Sequence, residues 1–193
     1  MPPRPPIDEM NLFFFDSETG GLNPATTDMI DVAAILTDPT GKTVLDEYST
    51  KVQPMRPVEP GAAAVNGYTQ EKWASAISLD EAMFRLLKMA RNARFVAHNA
   101  AFDWGYVEMA LAKRMMRWPG DYHRICTMML AEPLLHAKIV PNAKLVTLSS
   151  YFGVPHEDAH TALADARACR GVYLKLMEIY APLFSQQRPL GTE

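Results

Sequence analysis

A chain of 193 residues, 48% hydrophobic and 21% charged, fits a globular protein with one sizeable core. Its net charge of −3 gives no global basic signature for nucleic acid, so any such partner has to be held by a local basic patch or a bound cation. Two cysteines outside any CxxC pair, Cys126 and Cys169, exclude a disulfide scaffold and a structural zinc site, and with no apolar run near the ~18 residues that cross a bilayer and no signal-peptide core they point to a cytoplasmic protein with reduced thiols and no membrane partner.

Residues 1–10, "MPPRPPIDEM", read as a flexible proline-rich tail, and 185–193 read as a flexible end. Residues 11–184 are left as a single domain. It begins with "NLFFFDSE", a β run that stops at the turn residues of "TGGLNP". "MIDVAAILTD" is a second strand, closed by "PTGK", and "KTVLDEYSTKVQP" a third. "PMRPVEPG" is a proline-rich loop. "SLDEAMFRLLKMARNA" pairs Ser78 with Glu81 ahead of a helical period, the pattern of a capping box. "RFVAHN" is a short buried strand and "AFDWGYVEMALAKRM" a helix with Asn99 as N-cap. "KLVTLSSYFGV" is a helix stopped by Gly153 and Pro155, and "TALADARACRGVYLKLMEIYAPLF" is the closing helix. Strands first, then strands alternating with helices, predict one α/β domain with a mixed sheet and helices on its faces.

The carboxylates resist this bland description. On the first strand Leu12, Phe14, Asp16 and Glu18 share one side, while Phe13 and Phe15 take the other. Apolar residues on both parities mark a central strand, so Asp16 and Glu18 sit together at its C-terminal end, where open α/β sheets place ligands. On a 100° wheel, Asp165 shares the apolar face of the last helix with Ala162, Ala168, Cys169, Val172 and Leu176, opposite Arg167, Arg170 and Lys175. An inward Asp needs a donor, a cation or a metal. Asp103 lies about one turn into its own helix, just after the buried strand. Four acids from three segments form an oxygen-only donor set that suits hard divalent cations such as Mg²⁺ or Mn²⁺. Two such ions ~3.5–4 Å apart support phosphodiester cleavage.

Five histidines remain. His98, His123 and His136 have no acidic partner evident in the sequence and read as structural or exposed. "HEDAH" (His156 to His160) matches the HExxH pattern of zinc proteases, with Glu178 as a conceivable third ligand, but Gly153 and Pro155 start that motif in a turn rather than on a helix. Alternatively His160 stands just ahead of the helix of Asp165, placed to act as a general base.

Three of these segments, "FFFDSETGGL", "HNAAFDWGYV" and "HTALADA", resemble the three motifs of the DEDDh, or DnaQ-like, 3′→5′ exonucleases. All five signature residues are present in order, and the resemblance runs from about Asn11 to Phe184. "VNGYT" resembles a further segment of that family. The resemblance implies an RNase H-like exonuclease fold with a five-stranded mixed sheet flanked by helices. It implies that Asp16, Glu18 and Asp165 hold one cation and that Asp16 and Asp103, the latter largely through water, hold a second. His160 would deprotonate the attacking water. Thr19 and Leu22 would hold the 3′-terminal nucleotide, with Phe102, Asn66 and Asn99, the first residue of the second motif, near that pocket. Ser17, Gly20 and Asn66 depart from the family's commoner residues, but none of them removes a metal ligand.

The expected activity is therefore two-metal release of nucleoside 5′-monophosphates from single-stranded 3′ ends, with DNA preferred to RNA. The alternatives are an exoribonuclease, an HExxH zinc protease, and a non-catalytic module associated with a polymerase. Lys113, Arg114, Arg117 and Arg124 are the cations available for backbone phosphates; Arg85, Lys88, Arg91 and Arg94 are further candidates, but read first as a solvated face.

Overall fold

Three consecutive phenylalanines set the centre of the molecule, which a computed structural model describes over residues 5–185. Residues 1–4 and 186–193, which hold much of the two expected tails, lie outside the described residues. Strand β1 (Asn11–Thr19) sends Phe13 and Phe15 into one core and Leu12 and Phe14 into another. All four are essentially fully buried, as a central strand requires. It pairs antiparallel with β2 (Met29–Thr37), which pairs antiparallel with β3 (Val44–Lys51). On its other side β1 runs parallel to β4 (Ala93–Ala97), and β4 parallel to β5 (Arg124–Cys126). The five-stranded mixed sheet has the order β3-β2-β1-β4-β5.

Helices cover both faces. A short helix α1 (Pro60–Asn66) follows the proline-rich loop, with Pro60 in its first turn, where the missing N–H costs nothing. Helices α2 (Leu79–Met89) and α3 (Ala100–Lys113) bury Ala82, Met83, Leu86, Tyr106 and Val107 against Phe13, Phe15 and Phe95. Two one-turn helices, α4 (Thr127–Leu130) and α5 (Glu132–His136), lead to α6 (Leu145–Phe152). The closing helix α7 (Ala162–Ser185) lays Ala162, Ala166, Cys169 and Tyr173, spaced by three and four residues, on the opposite face of the sheet against Phe14. Its other buried stripe, Val172 and Leu176, packs on Leu148 of α6. Among the described residues no helix is long and apolar enough to cross a membrane.

Helix ends follow the local chemistry. Ser78 Oγ accepts from Glu81 N at 3.2 Å and Glu81 Oε2 accepts from Ser78 N at 3.2 Å, the capping box legible in the sequence. Replacing Ser78 with alanine is expected to lower stability by about 1 kcal/mol, seen as a fall of roughly 2–4 °C in the melting temperature. Gly153, at φ 65°, closes α6 in the left-handed conformation that a side chain resists. Asn99 does occupy the N-cap position of α3, but its side chain makes no capping bond there. The sequence pattern also passes over β5 and the short helices α1, α4 and α5. Each is too brief to show a period.

Candidate active site

The C-terminal end of β1 brings the predicted acids together. Asp103, 4% exposed in the first turn of α3, accepts from Ser17 N at 3.1 Å and Ser17 Oγ at 2.9 Å, both on Oδ1. Ser17 therefore locks Asp103 against the strand that carries Asp16 and Glu18. Asp165 stands in the first turn of α7. Thr161 anchors that turn, its Oγ1 accepting from Ala164 N at 3.4 Å while its carbonyl accepts from Asp165 N at 3.1 Å. Glu18, His160 and Asp165 each present a ligand atom within 4.8 Å of the other two. His160 is exposed and sits at φ 72°, with Asp158 at φ 56°, so the loop before α7 holds two non-glycine residues in the left-handed region.

A fifth acid, which the sequence pattern does not single out, joins these four. Asp31 lies directly across from Glu18 in the β1–β2 register. Its carboxylate takes a hydrogen bond from the N–H of Ala162, the first residue of α7. The signal for it was the strand register, which alternation within one segment does not reveal.

Electrostatically these groups repel one another with little compensation. Burial raises the Asp16 carboxyl well above its ordinary value, and Asp103, Asp165, Glu18 and Asp31 push it further. Burial, then Asp165, Asp31 and Asp103, push Glu18 up to about 7. Asp103 is raised by burial and by Asp165, against the pull of its Ser17 bonds. Burial lifts Asp31 to about 6, with the Ala162 N–H and the Lys51 charge opposing it. A cluster of oxygens held this close, with so little positive charge to offset it, fits hard divalent cations. Asp16, Glu18, Asp103 and Asp165 are the residues that would hold them.

A cavity of about 410 Å³ opens beside the acids, lined by Glu18, Thr19, Leu22, Val65, Asn66 and Phe102 among others. Its floor is a braced loop. Gly21 O accepts from Thr19 Oγ1 at 2.6 Å and from Tyr106 Oη at 2.8 Å, and Arg56 bonds to Asp28 at the loop's far end. A Cβ on Gly21 would stand 2.6 Å from the Glu59 carboxyl and the Thr27 methyl, so a side chain there would have to displace both. The loop thereby projects Leu22, 82% exposed, at the cavity. Asn66 Nδ2 donates to Thr19 O at 3.1 Å and fixes the end of β1. Of the expected pocket residues, Asn99 alone does not line the cavity; it is exposed at the start of α3.

The other histidines fall elsewhere. His98 Nε2 meets Ala143 O at 2.9 Å, so that nitrogen carries the proton, while Nδ1 meets Thr127 Oγ1 at 2.9 Å. Burial lowers its pKa, and it serves as a neutral tie between β4, α4 and the loop before α6. His123 does have an acidic partner, Asp121, two residues before it, at 2.8 Å. The HExxH pattern does not form a zinc site. Residues 154–161 are loop and turn rather than helix, His160 is exposed, and Glu178 is bonded to Lys175. His156 instead turns its side chain inward, only 8% exposed, with Nε2 2.6 Å from Asp165 Oδ1, a pairing the linear pattern does not suggest. Three expected phosphate-binding cations are also committed internally. Arg85 bonds to Asp46, Arg114 to Asp80, and Arg124 lies 4.6 Å over the Trp104 ring.

Known proteins are similar to this chain. The model of an exonuclease family matches residues 13–173. A putative bifunctional exonuclease/endonuclease protein of Mycobacterium tuberculosis is 31% identical over 182 residues, covering 90% of this chain and 28% of that protein. A DNA polymerase III subunit epsilon-like protein of Rhodobacter capsulatus is 31% identical over 176 residues, covering 89% of the chain and 24% of its own length. The chain thus spans about a quarter of the length of these two relatives. In fold it is similar to E. coli exonuclease I, seen in complex with a dT13 oligonucleotide, at a TM-score of 0.80 and 21% identity over 91% of this chain and 43% of that one.

Proposed function

The chain belongs to the DnaQ-like exonuclease family, and on that premise we propose that it hydrolyses single-stranded nucleic acid from the 3′ end and releases nucleoside 5′-monophosphates. The observation that carries the proposal is the cluster of mutually repelling carboxylates opening directly onto a cavity walled by Leu22, Val65 and Phe102.

Asp16, Glu18 and Asp165 would hold one divalent cation and Asp16 with Asp103 a second, Mg²⁺ or Mn²⁺. Bound there, the cations supply Lewis-acid charge to the scissile phosphate. The protein's own part is to hold and orient. His160, exposed beside Glu18 and Asp165, takes the proton of the attacking water. Leu22 and Phe102 flank the terminal nucleoside, and Asn66 keeps the Thr19 carbonyl and the strand end in place beneath it. The Thr19 hydroxyl already donates to Gly21 O, so its side chain has only acceptor capacity for the sugar. DNA is the favoured substrate, supported by the oligonucleotide complex of the structural relative, and residues 11–184 are proposed as the unit that acts on it.

A direct test digests a linear oligonucleotide labelled at either end, a circular single strand, and RNA of the same sequence. The expected result is early release of the 3′ label as a mononucleotide, a descending ladder from the 5′ label, an intact circle, slower loss of RNA, and no reaction in EDTA. His160→Asn, chosen because asparagine tolerates the left-handed backbone, should cut the rate by about 10²–10⁴-fold with unchanged melting. Cleavage of the circle, or a wild-type rate in this variant, would sink the proposal.

A further inference from the structure

Two histidines from one loop flank Asp165, and only His160 has a part in the chemistry proposed above. The other, His156, has a side chain only 8% exposed, and its Nε2 is 2.6 Å from Asp165 Oδ1. Its second nitrogen, Nδ1, is buried with no hydrogen-bond partner among the described residues. A proton on Nδ1 would be a buried donor without an acceptor, the costlier way to leave a polar atom unpaired, whereas a bare lone pair is tolerated. The proton therefore sits on Nε2, and His156 donates to Asp165.

We propose that His156 is a positioning residue for the metal site: its Nε2–H holds Asp165 Oδ1 and leaves the other carboxylate oxygen to face a cation together with Glu18. This rests on the reading of Asp165 as a metal ligand. The geometry favours a role beyond loop packing. Asp165 is in the first turn of α7, at the point where the chain leaves a loop with two left-handed residues, Asp158 and His160. Helix geometry fixes its Cα but leaves its carboxylate free to turn. The bond from His156 removes that freedom from the side away from solvent. A ligating carboxylate held by a hydrogen bond of this kind binds its cation more tightly because less ordering is left to do on binding.

The test measures Mn²⁺ affinity by electron paramagnetic resonance of the free ion, with no nucleic acid present, on the parent chain, Asp165→Asn, His156→Leu and His156→Gln. Glutamine places an amide N–H near the position of Nε2; leucine keeps bulk without a donor. The leucine variant should bind Mn²⁺ about 10–100-fold more weakly, and the glutamine variant within about threefold of the parent. In digestion assays the Mn²⁺ concentration giving half-maximal rate should rise by the same factor in His156→Leu, with KM for the oligonucleotide unchanged. If His156→Leu does not fold, His156→Asn, whose shorter side chain leaves the donor short of Oδ1, takes its place with the same expected loss. Parent-like Mn²⁺ affinity in a folded donor-less variant, alongside weakened binding by Asp165→Asn, overturns the role of His156 and leaves the metal site standing. Equal Mn²⁺ binding by the parent and Asp165→Asn removes Asp165 as a ligand, and this inference with it.

Discussion

Asp103→Asn is expected to melt higher than the parent chain while losing on the order of 10²–10³-fold in digestion rate. The two effects have one cause. Asp103 is buried, and burial and Asp165 hold its carboxyl above the ordinary range, so at pH 8 its ionised form destabilises the metal-free fold. Asparagine keeps an oxygen for the Ser17 N–H and hydroxyl and removes the charge. Each kcal/mol relieved raises the melting temperature by about 2–4 °C in a chain of this size. Activity falls because the lost charge is one that the cations need. Excess Mn²⁺ should then stabilise the parent more than the variant and narrow the gap between them. Scanning calorimetry in EDTA and in Mn²⁺, set beside the digestion rate, checks all three signs. A variant that melts lower in EDTA would mean that Asp103 is a structural acid whose charge the fold requires.

The parts of this site that were legible in the sequence depend on short-range geometry. Alternation alone put Asp16 and Glu18 on one face of β1, and a helical wheel alone turned Asp165 toward the apolar side of α7. The Ser78–Glu81 cap and the Gly153 stop needed only neighbours three or four residues away. What escaped depends on contacts between segments. Asp31 meets Glu18 through the register of two antiparallel strands, and nothing in "MIDVAA" marks its Asp as other than a strand residue. His156 reaches Asp165 across a loop that holds two left-handed residues, Asp158 and His160. Read as a linear pattern, the same histidine suggested HExxH. Arg85 and Arg114 looked available for phosphate because their partners, Asp46 and Asp80, lie 39 and 34 residues away. Strand β5, three residues long, is defined by pairing with β4 rather than by any pattern of its own.

Raising the pH should destabilise the metal-free protein, and a divalent cation should reverse the loss. In the unfolded chain the carboxyls titrate near 4. In the folded chain Asp31 titrates at about 6 and Glu18 at about 7, with Asp16 and Asp103 also raised. Between these limits the folded state binds more protons than the unfolded one, so stability falls as pH rises through the window. For Asp31 and Glu18 the stabilising contribution of the protonated acid is complete below about 4 and gone above about 7. Glu18 alone accounts for roughly 3 kcal/mol before solvent screening at its partly exposed edge reduces it. The expected record in EDTA is a melting temperature several degrees lower at pH 8 than at pH 5.5. A cation that binds only the folded chain adds about 2.7 kcal/mol at a hundred times its Kd. Mn²⁺ should therefore raise the melting temperature strongly at pH 8. It should do so weakly at pH 5.5, where protons already occupy the oxygens it needs. Glu18→Gln separates this cluster from the surface acids: it should flatten the slope in EDTA and shrink the Mn²⁺ effect together. A parent-like slope in Glu18→Gln, or an equal Mn²⁺ effect at both pH values, would show that the carboxylates at the end of β1 are not a store of repulsion that a cation relieves.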